Sequence, residues 1–196
     1  EAIAEEFNLE LVGPALQYSG ETLSDGKIYS TPQLWMEAFI AEYKKLHSGK
    51  EPRYDYFALH CYMNWSSSLN WFATEYFYAD LFNPAKTDVY GKYPNLAAYL
   101  TKYKEANGQY PRMMLTEFCA WEYNNGGQNE SMDAQTKSMQ EKVAWLDKSS
   151  YVARYAWFMS HGNKDSIPYN SIFVADNKTE NGDGSLTDLG KAYLAR

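Results

Sequence analysis

The sequence predicts an α/β fold built from parallel β/α units. Four short apolar runs recur along the chain, and a segment of helical periodicity follows each of them. The runs lie roughly forty to sixty residues apart, the spacing of strands joined by crossover helices. They are also almost continuously apolar, as suits strands covered on both faces.

The first run is Leu9 to Leu16 (LELVGPAL), behind a fragment of helix from Glu1 to Phe7. A helix is predicted from Pro32 to His47, because Thr31 is an N-cap residue and proline fits the first helical position. Leu34, Ala38, Ala41 and Leu46 mark its apolar face. The second run, Tyr54 to Tyr62 (YDYFALHCY), precedes a long aromatic segment and a helix from Asn95 to Ala106, closed by Gly108. The third, Met113 to Phe118 (MMLTEF), leads through a loop rich in Gly and Asn to a helix from Asp133 to Leu146. The fourth, Tyr151 to Phe158 (YVARYAWF), leads through a long loop to a closing helix, Asp188 to Ala195. No low-complexity stretch, short repeat or linker divides these units, so residues 1–196 read as one domain or part of one.

A closed barrel of such units needs eight strands and about 250 residues. Four strands therefore fit a small open sheet or half of a barrel. The residues at the strand ends favour the half-barrel, since barrels place their sites at the carboxyl ends of the strands. The second run ends in Leu59-His60-Cys61-Tyr62, the third in Leu115-Thr116-Glu117-Phe118, and the fourth in Tyr155-Ala156-Trp157-Phe158. Alternation along a strand puts His60 with Tyr62, Glu117 with Leu115 and Trp157 with Tyr155. If those faces point inward, a carboxylate, an imidazole, a phenol and an indole converge on one pocket.

Composition narrows the chemistry. Asp and Glu total 25 against 18 Lys and Arg, with no basic cluster to grip a phosphate backbone, which excludes a nucleic-acid partner. No apolar run reaches the ~20 residues that span a bilayer, which leaves no membrane partner, and Glu1 to Asn8 lacks the pattern of a signal peptide. Aromatic residues make up 17% of the chain, with 18 Tyr and 6 Trp. A flat apolar face with a polar edge suits the C–H faces and hydroxyl rim of a sugar, although a core also absorbs such rings. Glycoside hydrolysis in turn calls for carboxylates, because its transition state resembles a positively charged oxocarbenium ion. Glu117 sits where an attacking carboxylate would stand, Tyr62 where a hydroxyl would orient it, and Trp157 where a ring would floor the sugar.

These strand ends and the tail Asp183-Gly184-Ser185-Leu186-Thr187-Asp188-Leu189-Gly190-Lys191-Ala192-Tyr193-Leu194 resemble glycoside hydrolase family 128. Leu115-Thr116-Glu117-Phe118 resembles its nucleophile strand, Arg154-Tyr155-Ala156-Trp157-Phe158 its eighth strand, Val12-Gly13-Pro14-Ala15 its fifth and His60-x-Tyr62 its sixth. The resemblance implies the second half, strands five to eight, of a (β/α)8 TIM barrel. It also implies a secreted or cell-wall retaining β-1,3-glucanase, with Glu117 as nucleophile, Trp157 as a platform, and His60 and Tyr62 beside them. The Asn-Glu-Pro motif that carries the acid/base in such enzymes is not in the sequence. The expectation is thus one catalytic domain over 1–196 without its N-terminal half, that half being another segment or chain, or else replaced by a second copy of this one.

Trp65, in the long insert Asn64 to Tyr90, and Trp121, just past Glu117, are further candidates for substrate binding. Cys61 and Cys119 permit at most one internal disulfide. His47, His60 and His161 lack zinc-site spacing, and Asp176, Asp183 and Asp188 lack a calcium-loop pattern, so neither metal nor cofactor is expected. Asn64, Asn129 and Asn177 begin glycosylation sequons. A second function class fits the same aromatic rim: a carbohydrate-binding protein on a degenerate hydrolase scaffold, which has no need of Glu117.

Overall fold

Capping chemistry sets the helix boundaries. The computed structural model describes residues 1–17, 21–22, 26, 28–29, 31–62, 92–120, 131–162, 168–174 and 184–195. Helix α1 spans Ala2–Glu6 and helix α2 spans Pro32–Leu46. Thr31 Oγ1 accepts from the Leu34 amide at 3.2 Å, and Pro32 fills the first turn, where no intrahelical donor is needed. Helix α3 (Pro94–Asn107) also starts on proline and stops at Gly108, whose φ of 75° is the left-handed conformation that glycine accepts most readily. Helix α4 (Met132–Leu146) is capped by Ser131 Oγ, which accepts from the Ala134 amide at 3.1 Å. Helix α5 (Asp188–Leu194) is capped by Thr187 Oγ1, which accepts from the Gly190 amide at 3.0 Å.

The strands are β1 (Val12–Gln17), β4 (Tyr56–Cys61), β5 (Arg112–Phe118) and β6 (Val152–Trp157), in the spatial order β1-β4-β5-β6. Strand β1 runs parallel to β4, with Leu16 opposite Leu59 and a register shift between Val12 and Ala15. Along β5 and β6, Met113 N donates to Tyr151 O and Phe158 N donates to Phe118 O, so both partners advance together, as in a parallel pair. The result is the parallel α/β sheet that the alternating pattern predicts. The first strand begins later than its apolar run does. The Leu9 amide is spent on Ala4 O at 2.8 Å and the Leu11 amide on Asp55 Oδ2 at 2.6 Å, which leaves pairing to start at Val12. A separate antiparallel pair, β2 (Glu21–Thr22) with β3 (Ile28–Tyr29), is too short to have shown a period in the sequence.

The described residues form two compact units: 1–60, 92–114 and 150–154 make the first, and 61–62, 115–120, 131–149 and 155–195 the second. In the first unit the core is built by Met36 and Ile40 of α2, Phe57 and Leu59 of β4, and Leu96 and Leu100 of α3, each fully buried. The rings of Tyr54, Phe57 and Tyr99 lie 5.8 to 6.3 Å apart and fill the space between them. The face that α2 buries differs from the expected one: Gln33, Met36 and Ile40 are inside, whereas Leu46 is 70% exposed. A neighbouring row of the helix instead carries Trp35, Phe39, Tyr43 and His47, which stack on one another at i, i+4 spacing. Glu37 ties α2 to α3. Its carboxylate accepts from the amides of Asn95 (3.1 Å) and Leu96 (2.7 Å), placing negative charge at the positive end of α3.

In the second unit α4 packs against α5. Met139, Val143 and Leu146 of α4 join Leu115, Phe118, Trp157 and Leu189 in the core. Gln135 is fully buried there, and its side-chain amide donates to Ala120 O at 2.7 Å, pinning α4 to the chain just beyond β5. Among the described residues no helix is long and apolar enough to cross a membrane.

Candidate active site

Glu117 occupies the next-to-last position of β5, between buried Leu115 and buried Phe118, and is itself half-buried. Tyr62 follows the last residue of β4. Its hydroxyl donates to Oε2 of Glu117. Burial pushes the Tyr62 phenol well above its ordinary range, and the Glu117 carboxylate adds to the shift through both the hydrogen bond and its charge. Tyr62 therefore stays a donor at any pH where the protein works, and the Glu117 carboxylate has an oxygen fixed in place by it.

Among the described residues, Phe158 packs on Tyr62. It meets the Tyr62 ring edge to face, with centroids 5.5 Å apart and planes at 88°. Trp157 does not share that side. Its indole packs edge to face on Phe118 at 5.2 Å, and Tyr155 meets the same Phe118 ring at 5.8 Å. Phe118 and Glu117 are successive strand residues and so face opposite ways. The Tyr155 hydroxyl, moreover, donates to Asp147 Oδ1 at the end of α4. Trp157 and Tyr155 were expected on one face with the carboxylate; both pack on Phe118 here, and Tyr155 also reaches the end of α4. Only 6% exposed, Trp157 donates its indole N–H to Asn170 O at 2.7 Å. Phe158, just past the strand, is the described ring that meets Tyr62.

The other expected residues divide. His60 is half-buried on β4 and belongs to the first unit. Trp65 and Trp121 lie outside the described residues. Cys61 and Cys119 are both buried and carry thiols rather than a disulfide. Beside them Lys142 of α4 is fully buried, and burial pulls its ammonium down to about 8, the two thiols acting weakly in the opposite direction. Among the described residues no group of three His, Cys, Asp or Glu side chains could hold a metal ion.

Sequence reasoning missed the buried pair Asn170-Ser171, both fully inaccessible. Asn170 Nδ2 donates to Phe158 O at 3.2 Å and to Cys119 Sγ at 3.5 Å, and Asn170 O accepts from the Met159 amide at 3.3 Å as well as from Trp157. Ser171 Oγ accepts from the Gly162 amide and donates to Phe173 O, both at 2.7 Å. Nothing in a loop sequence of Pro-Tyr-Asn-Ser announces such a role. The only signal was its position a dozen residues past the fourth strand.

A model of the glycosyl hydrolase catalytic core family matches residues 82–193, which include β5, β6 and Glu117. The chain belongs to that family. Among solved structures, this glycosyl hydrolase core is similar to a family 128 (subgroup II) endo-β-1,3-glucanase from Pseudomonas viridiflava, at 28% identity and a TM-score of 0.61. The match covers 99% of this chain and 57% of that one. The fold also matches a family 128 (subgroup II) endo-β-1,3-glucanase from Sorangium cellulosum (22% identity, TM-score 0.56, 99% and 57% coverage). A family 128 (subgroup V) exo-β-1,3-glucanase from Cryptococcus neoformans matches at 18% identity and a TM-score of 0.54, with 98% and 57% coverage. These are the enzymes that the strand-end motifs resemble. The chain spans 57% of the length of each. Comparison with proteins of curated function finds no significant match.

Proposed function

We propose that this glycosyl hydrolase core carries the nucleophile side of a retaining β-1,3-glucanase, with Glu117 as the attacking carboxylate. The observation that carries the reading is the hydrogen bond from Tyr62 to Glu117 at the carboxyl ends of β4 and β5. In a retaining glycosidase the nucleophile must be ionised, held in line and approached from one side by the sugar. A phenol that resists ionisation supplies the hold: by donating to Oε2 it fixes the carboxylate for attack on the anomeric carbon. The Phe158 ring, packed perpendicular to Tyr62, supplies an apolar neighbour for the sugar's C–H face. Substrate class is inferred from the 28% identical relative, described as an endo-β-1,3-glucanase.

The same reading makes β1, β4, β5 and β6 strands five to eight of a (β/α)8 barrel. Two observations support it. The relatives are longer than the matched region, and Ile3, Phe7, Leu9 and Val12 form an exposed apolar set of the kind that a further β/α unit buries. On this proposal the acid/base carboxyl comes from a strand in the part of the barrel that this chain does not span. It stands about 5 to 5.5 Å from Glu117, the separation that double displacement needs. A polymeric glucan substrate places the enzyme outside the cell or in the cell wall. The deciding experiment is a laminari-oligosaccharide assay of the full-length protein with product stereochemistry followed by NMR. Release of the β-anomer first supports retention, while release of the α-anomer or absence of cleavage removes the reading.

A further inference from the structure

The contacts around Glu117 close into a ring. Glu117 accepts from Tyr62, the Tyr62 ring packs perpendicular to that of Phe158, and Phe158 N donates to Phe118 O at 2.9 Å, next to Glu117 in the chain. The Phe158 amide thus ties this residue to the end of β5 through one backbone hydrogen bond. A second tie comes from Asn170, whose side-chain amide reaches Phe158 O (3.2 Å) and Cys119 Sγ (3.5 Å) at once. The first contact grips the residue whose ring faces Tyr62. The second grips the chain two residues past Glu117. Because Asn170 is fully buried, and its own backbone oxygen is held by Trp157 and Met159, it is a fixed point rather than a mobile donor.

We propose that Asn170 is a positioning residue for this site: its side-chain amide locks Phe158 to the end of β5 and thereby keeps the Tyr62 hydroxyl on the Glu117 carboxylate. The inference rests on the glucanase reading for its catalytic consequence, but its structural content does not. An amide is required because the two acceptors, a carbonyl oxygen and a thiol sulfur, lie in different directions and the NH2 group offers two hydrogens. Leucine has the same branched skeleton with bulkier methyl ends and offers no hydrogen, so it leaves Phe158 O without this donor. Aspartate restores a single donor only when protonated.

The test uses the full-length protein with 13C-ring-labelled tyrosine. The Tyr62 resonance is identified by its loss in Tyr62→Phe. In Asn170→Leu it should move to the position of a phenol hydrogen-bonded to water. On laminari-oligosaccharides kcat should fall by about 10- to 100-fold, the scale of a misplacement near 1 Å, with KM changed less than about threefold. In Asn170→Asp the parent resonance should return as the pH is lowered, and activity should rise relative to Asn170→Leu over the same range. A Tyr62 resonance in Asn170→Leu that matches the parent overturns the proposal. Should Asn170→Leu fail to fold, a Tyr62 resonance in Asn170→Asp that does not respond to pH overturns it equally. If the parent cleaves no β-1,3-glucan, the glucanase reading falls while the resonance comparison still decides the role of Asn170.

Discussion

Tyr62 donates its hydroxyl hydrogen to Oε2 of Glu117, 55 residues further along the chain, at the point where β4 and β5 end. Its geometry distinguishes two jobs of the carboxylate. One oxygen is held by the phenol, and the negative charge remains to attack. Glu117→Gln keeps the shape and an acceptor oxygen for Tyr62 but removes the charge. Turnover of laminari-oligosaccharides by the full-length protein should fall at least ~1,000-fold, about 4 kcal/mol of transition-state stabilisation, while binding survives. A 2-fluoroglycoside inactivator should label the peptide Met113 to Trp121. Near-normal turnover, or a label elsewhere, removes Glu117 as nucleophile.

Phe158 and Trp157 are neighbours with opposite duties, and binding should separate them. Phe158 contacts Tyr62 on the carboxylate side, whereas Trp157 is a core ring on Phe118. Phe158→Ala should weaken laminari-oligosaccharide binding by roughly 1–3 kcal/mol, the range of a lost aromatic contact at a sugar or base face. Trp157→Phe should instead lower the thermal midpoint, since it removes the shorter of the two hydrogen bonds to the Asn170 carbonyl, and leave the affinity within about twofold. Calorimetric titration beside a melting curve reads both; reversed effects would put Trp157 back at the sugar.

Much of this was legible beforehand because the signals are local. Thr31-Pro32 and Gly108 fix helix ends by capping chemistry that involves only adjacent residues. The approach of Glu117 to Tyr62 followed from each standing at the end of an apolar run. The Trp157 face was not legible, because alternation says which residues share a face and not which face points where. That choice is set by Phe118 and by Asp147, the latter on a different element from the strand. The α2 face was misread for a related reason: an apolar row at Leu34, Ala38 and Ala41 loses to one at Met36 and Ile40, and only the partners on β4 and α3 decide between them. Asn170 was invisible because its contacts are to backbone atoms and a thiol, which carry no sequence pattern.

Gly190 tests the packing of α5. Alanine has the higher helix propensity by about 1 kcal/mol, so an exposed site would gain from the change. Here a Cβ would run into the carbonyl oxygen of Ile172, the group that also accepts from the Thr187 amide at 3.0 Å. Backbone cannot move aside as a side chain can. Gly190→Ala should therefore cost about 1–3 kcal/mol and lower the melting midpoint by several degrees. An unchanged or raised midpoint would show that α5 is not seated on Ile172.

Lys142 gives stability a pH dependence of unusual sign. It is fully buried in α4, and burial holds its pKa at about 8 in the folded chain against 10.5 for the free side chain. Between those values the unfolded chain keeps the proton and the folded chain has released it. Stability then rises with pH across that window, because the unfolded state binds more protons. Below pH 8 both states are charged, and the folded state bears the full cost of a buried ammonium. Tyrosines act in the opposite direction higher up. Burial raises the phenols of Tyr54, Tyr62 and Tyr99, so above pH 10 the unfolded chain loses protons that the folded chain keeps, and stability falls. Urea unfolding should therefore show a maximum between about pH 8 and 10. Lys142→Met keeps the length and removes the charge, and should flatten the rise below the maximum while leaving the fall above it. A rise that persists in Lys142→Met would assign it to another group, and a parent whose stability is flat from pH 7 to 10 would show that the Lys142 ammonium is not disfavoured by its surroundings.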